Sequence, residues 1–209
     1  NHILLEKFWK IKKKLYWKID LIGPNKIKTA VFISGTGTNL KTLYNFSLKK
    51  KSPIKIELVI SNNKNAKGLL FSKSKKIISK VFNFKKRVII ENKILKDLEK
   101  NKIKLICLAG FMKILSRNFI RKFRGKIINI HPSLLPKYKG LNTHQRAIKN
   151  NEKFSGCTIH FVSHKLDSGK IILQKKVKIY KQDTPKSLAK RILKVEHKLY
   201  PKAIIKLYC

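Results

Sequence analysis

Acidic side chains are scarce in this chain: ten Asp and Glu stand against 51 Lys and Arg among 209 residues, for a formal net charge of +41. Such a balance ordinarily points to nucleic acid or an anionic membrane. Here the surplus is nearly all Lys, spread through every segment among Ile and Asn, the bias an AT-rich coding sequence leaves. A nucleic-acid module would gather its cations and stacking aromatics on one face, so the charge reads as compositional. It still favours anionic small substrates on approach. Cysteine is rare as well. Cys107, Cys157 and Cys209 are odd in number and form no C-x-x-C, which argues against a disulfide framework or a zinc site and suits a reducing cytoplasmic setting. No apolar run reaches the roughly 20 residues a membrane-spanning helix needs. Gly-x-Ser-x-Gly does not occur and no cysteine has a His partner in sequence, so covalent acyl-enzyme chemistry is poorly supported. Direct transfer between two bound substrates fits better.

What is present suits one domain with an appendage: a hydrophobic fraction of 43% is ordinary for a globular chain of this length. In residues 1–25, Leu4, Phe8, Ile11, Leu15 and Ile22 fall on one face of a basic amphipathic helix. Gly23-Pro24-Asn25 then breaks the pattern, and residues 26–209 form the predicted domain. Strands are predicted at Lys28–Ser34, Ile54–Ser61, Val81–Phe84, Ile103–Gly110 and in GKIINI (125–130). Between them, helices are predicted after Gly37, at Ala66–Ile78, at Glu91–Asn101 and from a Ser116 cap to Phe123. This alternation specifies an α/β fold, a doubly wound, mostly parallel, Rossmann-like sheet. Beyond Gly140, Cys157–Ser163 and Lys170–Tyr180 read as an antiparallel carboxyl-terminal portion, followed by a helix over Pro185–Leu199.

Ligands of open parallel sheets bind beyond the carboxyl ends of the strands, where three unusual loops fall: Ser34–Asn39, Gly110–Leu115 and Asn129–Gly140. In the first, SGTGTN, Gly37, Thr38 and Asn39 offer backbone N–H groups at a helix N-terminus, which suits a phosphate. The third Gly of the dinucleotide fingerprint and the Gly-Lys-Ser/Thr of a P-loop are missing, so neither NAD nor ATP is indicated. In NIHPSLLPKYKG, Asn129 and His131 point to one side of an extended backbone that Pro132 restrains. An amide donor beside an imidazole suits a reaction in which charge develops on a carbonyl oxygen; the plain alternative is a satisfied turn. Asp167, in HKLDSGKIILQ, is placed to meet His131 or simply to make a hairpin turn. His160 and His164 share even spacing that suggests a metal, yet no Cys or carboxylate cluster accompanies them.

Taken in order, SGTGTN, AGFMKIL, NIHPSLLPKYKG, HKLDSG, ILQ and VEHKLYP resemble the phosphoribosylglycinamide formyltransferases (glycinamide ribonucleotide transformylases), a branch of the folate-dependent formyltransferases. The resemblance runs from about Lys28 to the last residues. It implies formyl transfer from 10-formyltetrahydrofolate to the amine of phosphoribosylglycinamide in purine biosynthesis, through a tetrahedral intermediate and without a metal. Small-molecule substrates, no specific nucleic acid, no membrane span and a monomer or homodimer are implied with it. Carried over by position, Asn129, His131 and Asp167 are the implied catalytic trio. Gly37, Thr38, Asn39 and Glu196 are implied at the ribonucleotide. Arg87, Met112, Lys113, Ile114, Leu115 and Asn129 are implied at the folate, with Lys113 standing where an Arg is common. Other acceptors of the same formyl donor, such as methionyl-tRNA, a sugar amine or water, are the nearest alternatives, and a basic nucleic-acid module the remote one.

Overall fold

The computed structural model describes residues 26–209, so the amphipathic helix expected over residues 1–25 lies outside the described residues. Seven strands form one sheet in the order β3-β2-β1-β4-β5-β6-β7. They are β1 (Ile27–Ile33), β2 (Ile54–Ser61), β3 (Ile78–Val81), β4 (Leu105–Leu108), β5 (Lys126–His131), β6 (Phe154–Phe161) and β7 (Ile171–Lys178). The first five are mutually parallel, and β6 and β7 are antiparallel additions. The helices are α1 (Thr38–Ser47), α2 (Lys67–Ser74), α3 (Arg87–Lys100), α4 (Arg117–Lys122), α5 (Thr143–Lys149) and α6 (Pro185–Tyr208).

Alternation along β1 shows how the sheet comes to be covered twice. Val31 and Ile33 pack with Leu40 and Leu43 of α1 and with Leu188 and Ile192 of α6. Ala30 and Phe32 face the other way, toward Ile94 and Leu98 of α3 and Phe119 of α4. Successive strand residues point to opposite faces, so a continuous apolar strand needs helices on both. Each fully buried Leu or Ile here contributes roughly 1.5–3 kcal/mol.

Several boundaries differ from the sequence reading. The helix expected over Ala66–Ile78 stops at Ser74, and the strand expected at Val81–Phe84 occupies Ile78–Val81, with Phe84–Lys86 in a 3₁₀ turn. The stop is made by Lys76 at φ 54° and by the Ile77 amide, which donates to the Ser72 carbonyl at 2.9 Å. That left-handed C-cap ordinarily carries Gly, and Lys gave no signal for it. The last helix was expected to end at Leu199 but continues through Pro201 to Tyr208. Proline inside a helix costs about 3 kcal/mol; burial of Leu199, Tyr200, Ala203 and Ile204 offsets it. The short α5 was not foreseen. The strand expected in GKIINI runs one residue further, which places His131 inside β5 with Asn129.

Candidate active site

β1, β4 and β5 are consecutive in the sheet and parallel. At roughly 4.8 Å between strands, the loops that follow them share one edge within about 10 Å.

The loop after β1 turns at Gly37, whose φ is 74°. A Cβ there would lie 2.6 Å from the Gly68 Cα, and the Gly68 amide donates to the Gly35 carbonyl at 3.1 Å. Two backbones touch at this point, and only glycine lets them. The turn opens α1, whose first amides have no partner within the helix. Asn39, in that first turn, is buried and donates from Nδ2 to Oε2 of Glu196 on α6 at 2.8 Å. Burial pushes the Glu196 carboxyl above the usual carboxylate range, and the Asn39 bond opposes that rise. Asn39 and Glu196 thus meet at one corner, with Thr38 next to Asn39 in the chain.

Ser34, the last residue before this turn, ties it to the next loop. Its Oγ accepts the Met112 amide at 2.7 Å and donates to Asn62 Oδ1. In the loop after β4, Met112 and Ile114 present large exposed apolar side chains. Leu115 does not join them: its side chain is buried in the core with Phe119 and Ile94, which leaves only its backbone for a ligand. That is a correction to the expected pocket lining. Ser116 anchors the loop, its amide and hydroxyl both donating to the Glu91 carboxylate. Arg87 Nε lies 3.6 Å from Glu91 Oε1, so Arg87 sits at the same corner as Lys113's loop.

At the end of β5 the polar groups converge. His131 is 5% exposed, and its Nε2 lies 2.9 Å from the Tyr138 carbonyl oxygen. A carbonyl only accepts, so Nε2 carries a proton. The other ring nitrogen, Nδ1, is 3.4 Å from Asp167 Oδ2. With a second proton at Nδ1 the imidazolium has both N–H groups directed at oxygen. Asp167 reaches this position from the β6–β7 hairpin, at φ 44°, and its Oδ2 also accepts the Gly140 amide at 2.9 Å. The hairpin therefore folds back over the sheet to meet the segment after β5. Thr158 holds that segment from below: its hydroxyl donates to Ser133 O and accepts from the Leu135 amide. Asn129 Nδ2 points to His160 Nε2 at 3.2 Å. His164 lies beyond the end of β6, so the even spacing with His160 does not place the two on one strand face. Among the described residues no three His, Cys, Asp or Glu side chains gather as a metal site.

Sequence reasoning passed over His160, Tyr138 and Thr158 as parts of this site. Thr158 and His160 stand opposite His131 and Asn129 in the β5–β6 register, and a pairing register is set by tertiary contacts that sequence spacing does not reveal. Two cavities lie elsewhere. One of about 490 Å³ sits at the β3–α3 edge beside Lys80 and Asp97. Another of about 630 Å³ lies behind the Leu134–Tyr138 segment. Neither shows a comparable convergence of buried polar groups.

Comparison with known proteins agrees with this geometry. Residues 27–204 match the family described as formyl transferase. The phosphoribosylglycinamide formyltransferase of Haemophilus influenzae is 44% identical over 180 residues, which cover 85% of each chain. The trifunctional purine biosynthetic protein adenosine-3 of Gallus gallus is 42% identical over 88% of this chain, but that match is 18% of the relative's length. The chain therefore spans about a fifth of the trifunctional relatives it matches. Among solved structures, the phosphoribosylglycinamide formyltransferase of Brucella melitensis superposes with a TM-score of 0.84 at 40% identity, covering 88% of this chain and 97% of that one. The Anaplasma phagocytophilum enzyme gives 0.80 at 43%, covering 86% and 85%.

Proposed function

We propose that this chain, which belongs to the formyl transferase family, is a phosphoribosylglycinamide formyltransferase that uses 10-formyltetrahydrofolate. The observation that carries the reading is the convergence of Asn129, His131 and Asp167 at the carboxyl edge of β5, two strands from a helix N-terminus suited to a phosphate. Relatives named for this activity, matched over most of both chains, support the choice of acceptor.

In the proposed reaction the acceptor's amine nitrogen attacks the formyl carbon, and the carbonyl opens to an oxyanion. The bond from that carbon to the folate nitrogen then breaks, and the proton lost by the amine ends on the departing nitrogen. Asn129, through an amide N–H, and His131, on the same strand end, stabilise the oxyanion. The proton on His131 Nε2 is committed to the Tyr138 carbonyl, so the movable proton belongs to Nδ1 and the facing Asp167 carboxylate. Asp167 is thereby the relay for the amine proton, acting through water. Gly37, Thr38 and Asn39 bind the phosphate through backbone N–H groups, with Glu196 facing the ribose and glycinamide part. Met112 and Ile114 cover the folate ring system, Leu115 meets it through its backbone, and Lys113 and Arg87 take its carboxylates. We place the activity in the cytosol, in keeping with the unpaired and buried Cys107 and Cys157.

The test is a formyl-transfer assay with 10-formyltetrahydrofolate and a panel of acceptors. Turnover is expected with phosphoribosylglycinamide. Preference for methionyl-tRNA, a sugar amine or water as acceptor would overturn the assignment.

A further inference from the structure

We propose that His160 is a positioning residue for formyl transfer, a neutral hydrogen-bond acceptor that fixes which way the Asn129 amide points; the inference rests on the function proposed above. His160 and Asn129 are direct cross-strand partners in the antiparallel β5–β6 pair, so their side chains stand on one face at the closest spacing a sheet allows. His160 Nδ1 lies 2.9 Å from the Phe161 carbonyl oxygen, an atom that can only accept, so the neutral ring carries its proton at Nδ1. Nε2 is then a bare lone pair facing Asn129 Nδ2 at 3.2 Å.

The consequence for Asn129 follows from its own chemistry. A carboxamide flipped end for end would put an oxygen against that lone pair, acceptor against acceptor. The bond to His160 therefore selects the orientation in which one N–H of Asn129 is held and the other is directed outward as a donor. Free rotation would present Oδ1 to the formyl oxygen part of the time, where it repels a developing negative charge. Nothing else among the described residues bonds the Asn129 carboxamide.

His160 must stay neutral for this to work, because a proton on Nε2 would turn the acceptor into a donor. Its surroundings favour neutrality. The residue is 2% exposed, and burial drives its pKa down, only partly opposed by the Phe161 carbonyl and by Asp167. The titratable groups facing it are Asp167, with Oδ1 3.7 Å from Nε2, and His131, whose charge also disfavours a second cation. Its partner on β7 is the apolar Ile171. Were His160 to gain a proton, it would turn toward Asp167 and compete with His131 for the same carboxylate.

The experiment compares H160L with H160Q, which keeps a neutral acceptor oxygen near the Nε2 position. In the formyl-transfer assay H160L should lose roughly tenfold or more in kcat, with both KM values within about threefold of wild type. H160Q should recover most of the kcat. In an N129A background H160L should have little further effect, since the two residues act as one unit. Equal losses in H160L and H160Q, or losses that add to that of N129A, would overturn the proposal. Should H160L fail to fold, the kcat of H160Q decides in the same way. An independent reading comes from ¹⁵N NMR of the His160 ring, expected to show protonated Nδ1 and bare Nε2 at neutral pH, with Nε2 shifting in N129A. A proton on Nε2 there would also overturn the proposal. A wild-type protein inactive with phosphoribosylglycinamide would overturn the functional reading, and the NMR arm would still decide the role of His160.

Discussion

The turn after β1 and the end of β5 lie two strands apart on one edge, yet they are built from different materials. At the turn the groups proposed to meet the phosphate are backbone amides, held by a glycine at positive φ and by contact with a second glycine. They carry no titratable proton and depend on shape. At β5 the groups proposed for the chemistry are side chains, and each has a neighbour that fixes where its proton sits: Tyr138 and Asp167 for His131, His160 for Asn129. On the proposed function, the difference separates binding from chemistry in this fold. Damage at the turn should appear in KM, and damage at β5 in kcat.

Three substitutions put that division under strain. His131→Ala should lower kcat by roughly 1000-fold or more with the far-UV circular dichroism of the wild type; a protein that unfolds instead would make His131 a residue of the core. Asn129→Ala should lower kcat by about 100-fold with little change in either KM, and a near-normal rate would remove the oxyanion role. Gly37→Ala should raise KM for the phosphorylated substrate by about tenfold while sparing kcat, since a Cβ 2.6 Å from Gly68 forces the turn open. A fall in kcat of the same size would break the comparison.

The smallest effect is on stability. Glu196 has a folded-state pKa above its unfolded value, chiefly through burial, so the folded protein binds its proton more tightly. The stability this confers is full below about pH 4.3, the unfolded value, and is lost as pH rises through the folded one. At neutral pH the buried charge is a burden. Glu196→Gln, which keeps an oxygen for Asn39, should therefore raise Tm by about 2–4 °C at pH 7 and leave it unchanged near pH 4. The same variant should bind the acceptor more weakly, which calorimetry would register.

The parallel half of the fold was legible because both faces of β1, β2 and β4 are covered, leaving continuous apolar runs such as VFI and LICL that short-range pattern detects. Where tertiary packing overrode local preference, the reading failed: Lys76 caps α2 in a conformation ordinarily left to Gly, and α6 runs through Pro201 because its flank is buried. The trio was legible as residue types and spacings, and its approach was not, since Asp167 reaches His131 by a hairpin that folds back over the sheet. In the sequence His160 stands out only by its even spacing with His164, a metal pattern that lacks further ligands. Its partner was instead across the sheet, in Asn129, at a separation of 31 residues that periodicity along one strand does not report.

The bond from Asn39 to Glu196 joins positions 157 residues apart, and it bears on how the protein matures. During synthesis α1 emerges long before α6, so the corner proposed for the nucleotide stays half-built while the ribosome is still extending the chain. For the same reason, a protease cut ahead of the final helix would disarm that corner at a distance, and it would also strip one face of β1 of its cover.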